Sequence, residues 1–209
     1  MQKPFSDGDL LRMGWKQAIN NLGFFILLFL VMLGVALVPM IIFALSIKDY
    51  PVVAWSAYAI YILVALLMGV GTIKISLSII DGEKPKISDL FLHADKFLTF
   101  LGISILYAII VFVGFLLFII PGVIWMTKFF LAPYYAVDKG LNPIEALKAS
   151  SAATMGMKWD ILAFYIVAEI VITLGFFALG IGAFVSVPTG MIAMAGLYRL
   201  MDGGSIKAK

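Results

Sequence analysis

The chain has no cysteine among its 209 residues and one histidine, His93. Without thiols there is no disulfide framework, thiolate nucleophile or cysteine-ligated metal, and a lone histidine is neither a metal cluster nor half of a catalytic pair. Charge is sparse as well. Asp, Glu, Lys and Arg make up 13% of the residues, against about 25% in a soluble domain, and the net charge of +3 calls for no nucleic-acid partner. No His-Glu-x-x-His, Gly-x-Ser-x-Gly, phosphate-binding glycine loop or paired-acid metal motif occurs. The nearest approach, Gly102-Ile103-Ser104, lacks the closing glycine. Gly-x-x-x-Gly is also missing, so a close-packed dimer of that type has no support. The expectation is a protein that is not an enzyme and needs no cofactor.

What is present is apolar. Hydrophobic residues are 63% of the chain and the mean hydropathy is +1.10, which excludes a water-soluble fold and a disordered chain alike. The reading is a single all-α transmembrane domain over residues 1–209. A helix needs about 20 apolar residues to cross a bilayer, and six stretches offer themselves at 22–47, 52–80, 97–120, 121–138, 159–182 and 184–201. The fourth is the short one. Its apolar part, Val123 to Val137, must borrow from Phe118–Gly122 to cross, or else form a re-entrant half-helix; a full crossing is the preferred reading. The N-terminus is not organised as a signal peptide, because a polar-amphipathic stretch precedes a full-length apolar run.

Six crossings with both termini inside can be tested by the positive-inside rule. Twelve of the 15 Lys and Arg then fall in inner segments, with Lys48 alone outside and Lys74 and Lys128 within spans. Ten of the 12 acids are also inner, so that face is mixed in charge rather than polybasic. The implied location is a cytoplasmic membrane, with lipids and a partner membrane protein or homo-oligomer as candidate partners and no nucleic acid.

Each inner segment before a hairpin carries a helix-start signal: Ser6 with Asp9, Ser88-Asp89, and Asn142-Pro143-Ile144-Glu145. These predict amphipathic helices over 6–21, 88–96 and 142–157, capped by side-chain oxygens and favourable to the helix dipole. In the first, Leu10, Leu11, Gly14, Trp15, Ala18 and Ile19 share a face suited to an interface. With Pro39, Pro121 and Pro188 near the far end of each following span, the pattern suggests three units of interfacial helix plus hairpin.

The run Ile120-Pro121-Gly122, Lys128, Ala132-Pro133-Tyr134, Asp138, Glu145-Ala146-Leu147-Lys148-Ala149-Ser150 and Gly156, closed by Val187-Pro188 and Leu197-Tyr198, resembles a family of uncharacterised bacterial six-helix integral membrane proteins. Its relatives include the membrane domain fused to some glycerophosphodiester phosphodiesterases. The resemblance implies six helices in a bacterial or archaeal cytoplasmic membrane. This chain has no phosphodiesterase domain, so that activity is not carried over.

Charges at membrane depth cost at least ~2.5 kcal/mol each and need a reason. Counted along their helices from the inner ends at Asp138 and Trp159, Lys128 and Glu169 both lie about 15 Å deep. The expectation is an intramembrane pair, structural or a proton relay, with the alternative that each faces water. Lys74, about 10 Å from the inner end of its helix, can snorkel to the headgroups or face a cavity with Lys128. Pro39 and Pro133 are expected helix kinks. Small residues recur at Ala178, Gly182, Ser186 and Gly190, spaced for close packing within the monomer unless Pro188 breaks the helix. Trp55 and Trp125 outside, with Trp15 and Trp159 inside, suit interfacial belts. Two functions remain open on this sequence. One is a non-enzymatic membrane scaffold or accessory subunit; the other is a small-solute or lipid-handling transporter or channel with Lys128 and Glu169 lining its path.

Overall fold

The computed structural model describes residues 5–92, 94–177 and 180–207. His93 and Ala178 therefore lie outside the described residues. Within them the chain is helical, with no strand: α1 (Asp7–Asn20), α2 (Leu22–Ser46), α3 (Pro51–Ile80), α4 (Phe97–Leu117), α5 (Ile119–Phe129), α6 (Ala132–Lys139), α7 (Pro143–Ala153), α8 (Lys158–Phe177) and α9 (Ala183–Met201). Among the described residues five helices, α2, α3, α4, α8 and α9, are long and apolar enough to cross a membrane. Their surfaces carry exposed large apolar side chains such as Leu30, Val38, Leu98, Leu116 and Leu174, an outer surface suited to lipid.

The core sits at one end of the bundle. On α3 Gly71 and every residue from Ile75 to Ile80 are buried, whereas the first two turns bury only Ala54 and Ala57. Leu131, Ala132, Tyr135 and Ala136 from the α5–α6 segment join this core, with Ala146 of α7 and Ile192, Ala195 and Tyr198 of α9. A second cluster packs Leu10 of α1 and Ile161, Phe164 and Ala168 of α8 against Ala193 and Leu197 of α9.

Local chemistry explains three of the helix ends. The Asn142 carboxamide accepts from the Glu145 N–H at 3.0 Å while Glu145 Oε2 accepts from the Asn142 N–H at 3.3 Å, a completed capping box at the start of α7. Ser6 Oγ accepts from the Asp9 N–H at the start of α1. At the end of α3, Gly82 adopts φ +80°, the Glu83 N–H donates to the Ser78 carbonyl and the Gly82 N–H to the Ile79 carbonyl. This Schellman arrangement folds the following loop back over the last turn.

Four sequence expectations change. Residues 88–96 do not form an amphipathic α-helix but two 3-10 turns, Ile87–Leu90 and Ala94–Lys96. Ser88 caps nothing there, because Leu90 presses against Gly71, where a Cβ would run into the Leu90 backbone. The turn between α4 and α5 falls at Phe118, in extended backbone, before Pro121, which occupies the first turn of α5 where its missing N–H costs no hydrogen bond. Pro188 does not break α9, which runs unbroken through it. The face predicted for α1 is divided: Leu10, Gly14 and Ala18 are buried, with Gly14 against the Thr189 backbone of α9, and Trp15 and Ile19 remain exposed. The α8–α9 hairpin packs closely through Gly175, where a Cβ would strike Ser186, and Ser186 Oγ donates to the Ile172 carbonyl at 3.1 Å.

Candidate functional site: a broken helix, its cavity and a charge clamp

Proline explains the break in the fourth apolar segment. Pro133, the second residue of α6, has no N–H to offer the Phe129 carbonyl four residues earlier, and its ring crowds that carbonyl. α2 and α9 run on through Pro39 and Pro188, whereas here the chain breaks where α7 offers hydroxyls to the backbone. α5 accordingly ends at Phe129 and α6 begins at Ala132. The freed backbone is served by α7. Ser150 Oγ accepts from the buried Leu131 N–H at 3.1 Å and donates to the Lys128 carbonyl at 2.9 Å. Thr154 Oγ1 lies 3.1 Å from the same carbonyl and 2.9 Å from that of Ser150. Two hydroxyls one helical turn apart thus serve the Lys128 carbonyl and the Leu131 N–H beside the break, as backbone freed within apolar helices requires.

Beside the break lies a cavity of about 440 Å³. Gly69 and Thr72 of α3, Tyr107 of α4, Thr127 of α5, Pro133 and Tyr134 at α6, and Tyr165 of α8 are among its walls. Its lining is aromatic and hydroxylic, without a charged side chain. Tyr107 already donates to the Met126 carbonyl at 3.1 Å, Thr72 to that of Gly69 and Thr127 to those of Val123 and Ile124.

At the charged end a second arrangement ties three helices. Arg199, in the last turn of α9, donates through Nε and Nη2 to Asp81 after α3, at 3.1 and 2.6 Å. Through Nη1 and Nη2 it donates to Asp138 of α6, at 2.6 and 3.1 Å. Tyr198 Oη donates to Asp138 Oδ2 at 2.9 Å. The side chains of Arg199, Asp81 and Asp138 are 16%, 29% and 13% exposed, so the clamp is largely out of water. A guanidinium suits this place because its planar fork serves two carboxylates at once, which an ammonium cannot. Tyr134 connects the two features: it lines the cavity and stacks on Tyr198 with ring centroids 5.5 Å apart. Lys139 pairs with Asp202 at 2.6 Å, and the Lys207 N–H donates to the Ile80 carbonyl at 3.0 Å, closing the tail over the end of α3.

The residues singled out from sequence are distributed differently. Lys128 and Glu169 do not form an ion pair. The Lys128 ammonium lies 5.2 Å from the Phe129 ring centroid, Glu169 stands beside the Tyr165 hydroxyl one turn away, and neither is among the cavity's lining residues. The depth count that matched them assumed one straight helix from Asp138 to Lys128, and the break removes that assumption. Lys74 faces a separate pocket with Lys84 and Lys86, not a cavity shared with Lys128. Pro39 is buried inside an unbroken α2, and Pro133 is at the break. Arg199, Asp81, Asp138 and Ser150 are not among the site residues that the sequence singles out. The signal was available, since each clamp charge ends an apolar segment at one end of the bundle, and Ser150 and Thr154 share a face of α7.

Comparison with known proteins adds distant kin. The chain is 24% identical over 155 residues to the uncharacterised protein Rv2560 of Mycobacterium tuberculosis, a match covering 74% of this chain and 47% of that protein. The same figures hold for the uncharacterised protein Mb2590 of Mycobacterium bovis. The chain spans about half the length of the curated relatives it matches. No family model matches the chain, and no solved structure does.

Proposed function

We propose that the chain is a non-enzymatic scaffold or accessory subunit of a cytoplasmic membrane, holding a partner protein or lipid. In this reading α5 and α6 together make a sixth crossing, since residues 119–139 would extend about 31 Å if near-collinear. Both termini and the charged end face the cytoplasm, in line with the bias of Lys and Arg, and three helical hairpins follow one another along the chain. Kinship with the bacterial six-helix family rests on the Pro-Gly turn, Lys128, Pro133 and the Ala146-to-Ser150 run.

The observation that carries the reading is the Arg199 clamp. A transporter that alternates access must separate helices at its inner end, yet here one guanidinium joins the ends of α3, α6 and α9. Opening that end would leave buried charges without partners, which is strongly unfavourable.

A second reading, a small-solute or lipid-handling transporter or channel, is favoured by the cavity at the helix break. Its route would pass the hydroxyls of Tyr107, Tyr134 and Tyr165 rather than Lys128 and Glu169. Pull-down of the tagged chain in gentle detergent, with proteins and lipids identified by mass spectrometry, separates the two. A stoichiometric protein companion, or one lipid retained at fixed stoichiometry without flux in liposomes, is expected. A homo-oligomer that moves a solute or lipid across liposomes would overturn the scaffold.

A further inference from the structure

The loop folded back by the Schellman end of α3 encloses a pocket of about 370 Å³ lined by Lys74, Ser78, Glu83, Lys84, Lys86 and Asp89. Three ammonium groups face two carboxylates there, and none of the five forms an ion pair among the described residues. Asp138 is within electrostatic reach of Lys74, but its oxygens are occupied by Arg199 and Tyr198. Ser78 is the second observation. It is 7% exposed, and its hydroxyl makes no hydrogen bond among the described residues. The neighbouring Thr72 and Ser76 hydroxyls instead donate to carbonyls of their own helix. A buried hydroxyl left open is costly unless something completes it.

Lys74 and Ser78 are one turn apart, so they present to the same side of α3. The opposite wall is fixed by the contact of Gly71 with the Leu90 backbone. The floor of the pocket thus lies about 10 Å along α3 from Asp81, and exposed Lys84 and Lys86 stand at its mouth. One cation on α3 and two on the loop folded over its end, at graded depth, match the place of a lipid phosphate and its glycerol.

We propose that this pocket binds a phosphate group, with Lys74, Lys84 and Lys86 supplying charge and Ser78 a hydrogen bond, and that Glu83 and Asp89 limit the charge it accepts. The lipid form of the ligand rests on the membrane reading above; the phosphate chemistry does not.

The test is thermal stability of the full chain in nonionic detergent, titrated with short-chain phosphatidylglycerol, the matching diacylglycerol, or inorganic phosphate. A ligand at free concentration L that binds the folded state stabilises it by RT ln(1 + L/Kd), so the melting temperature climbs once the ligand exceeds its Kd. The expected result is a concentration-dependent rise with phosphatidylglycerol and none with diacylglycerol. The K84A/K86A variant should keep the unliganded melting temperature, because both side chains are exposed and unpaired, yet need at least ~10-fold more lipid. Lys74→Met and Ser78→Ala should weaken binding as well. Inorganic phosphate stabilising in the same range would make free phosphate the ligand, and competition only at far higher concentration would make it lipid; both uphold the site. Equal stabilisation by diacylglycerol, or undiminished binding by K84A/K86A, would overturn it. Because the readout is direct binding by the purified chain, failure here would leave the pull-down result standing.

Discussion

Arg199 is the side chain with most at stake. Its four bonds to Asp81 and Asp138 lie in a place where all three groups are mostly shielded from water. Removing one partner of such a group costs more than removing the whole group, because unpaired buried charge is left behind. Arg199→Met should therefore destabilise the protein by on the order of 3 kcal/mol, while the triple change R199M/D81N/D138N should recover a large part of that loss in detergent melting. Arg199→Lys should fall between wild type and Arg199→Met, since one ammonium cannot satisfy both carboxylates. A triple variant no more stable than Arg199→Met would show that the clamp contributes little electrostatically. None of this followed from reading Arg199 alone, which in sequence is one more inner charge. The partners come from segments more than 60 residues away, and only the packing of α6 and α9 against α3 brings them together.

At the scale of elements, the informative one is the broken α5–α6 segment. The sequence shows Pro133 and an apolar stretch too short to cross unaided. What it does not show is that Ser150 and Thr154 of α7 repair the break. Ser150 serves two backbone groups and Thr154 shares only one of them. Ser150→Ala should then cost about 1–3 kcal/mol by leaving the buried Leu131 N–H unpaired, and Thr154→Ala distinctly less, as measured by thermal melting of each variant. Faster hydrogen exchange at Leu131 in Ser150→Ala alone would locate the effect; equal costs for the two variants would contradict the assignment. Helix bounds were legible where apolar runs end in proline, glycine or charge, as at Ser46, Ile80 and Met201. They were illegible over 88–96, where a contact 19 residues away in sequence, Leu90 on Gly71, overrides local capping signals. The Lys128–Glu169 expectation failed for a related reason: residue counts measure depth only along an unbroken helix.

For the whole molecule, composition alone made an all-helical chain with long apolar spans legible, and five helices are long and apolar enough to cross a membrane, with apolar side chains exposed along them. The uneven placement of the core was not legible. Hydropathy is high along all of α3, yet burial is concentrated in its last ten residues, against α6, α7 and α9. The consequence is a molecule whose core and ion pairs gather at its charged end, with apolar side chains exposed over much of the rest. The proposed scaffold requires that the charged end stay closed. The absence of cysteine makes this directly measurable, because paired spin labels can be placed at exposed Ser88 and Lys148, or Ser88 and Ser205, with no background labelling. Pulsed electron-electron resonance in lipid nanodiscs should give one narrow distance for each pair, unchanged by added lipid and broadened only when Arg199→Met is introduced. A second, longer distance in the wild-type background would mean that this end opens, and would contradict the account.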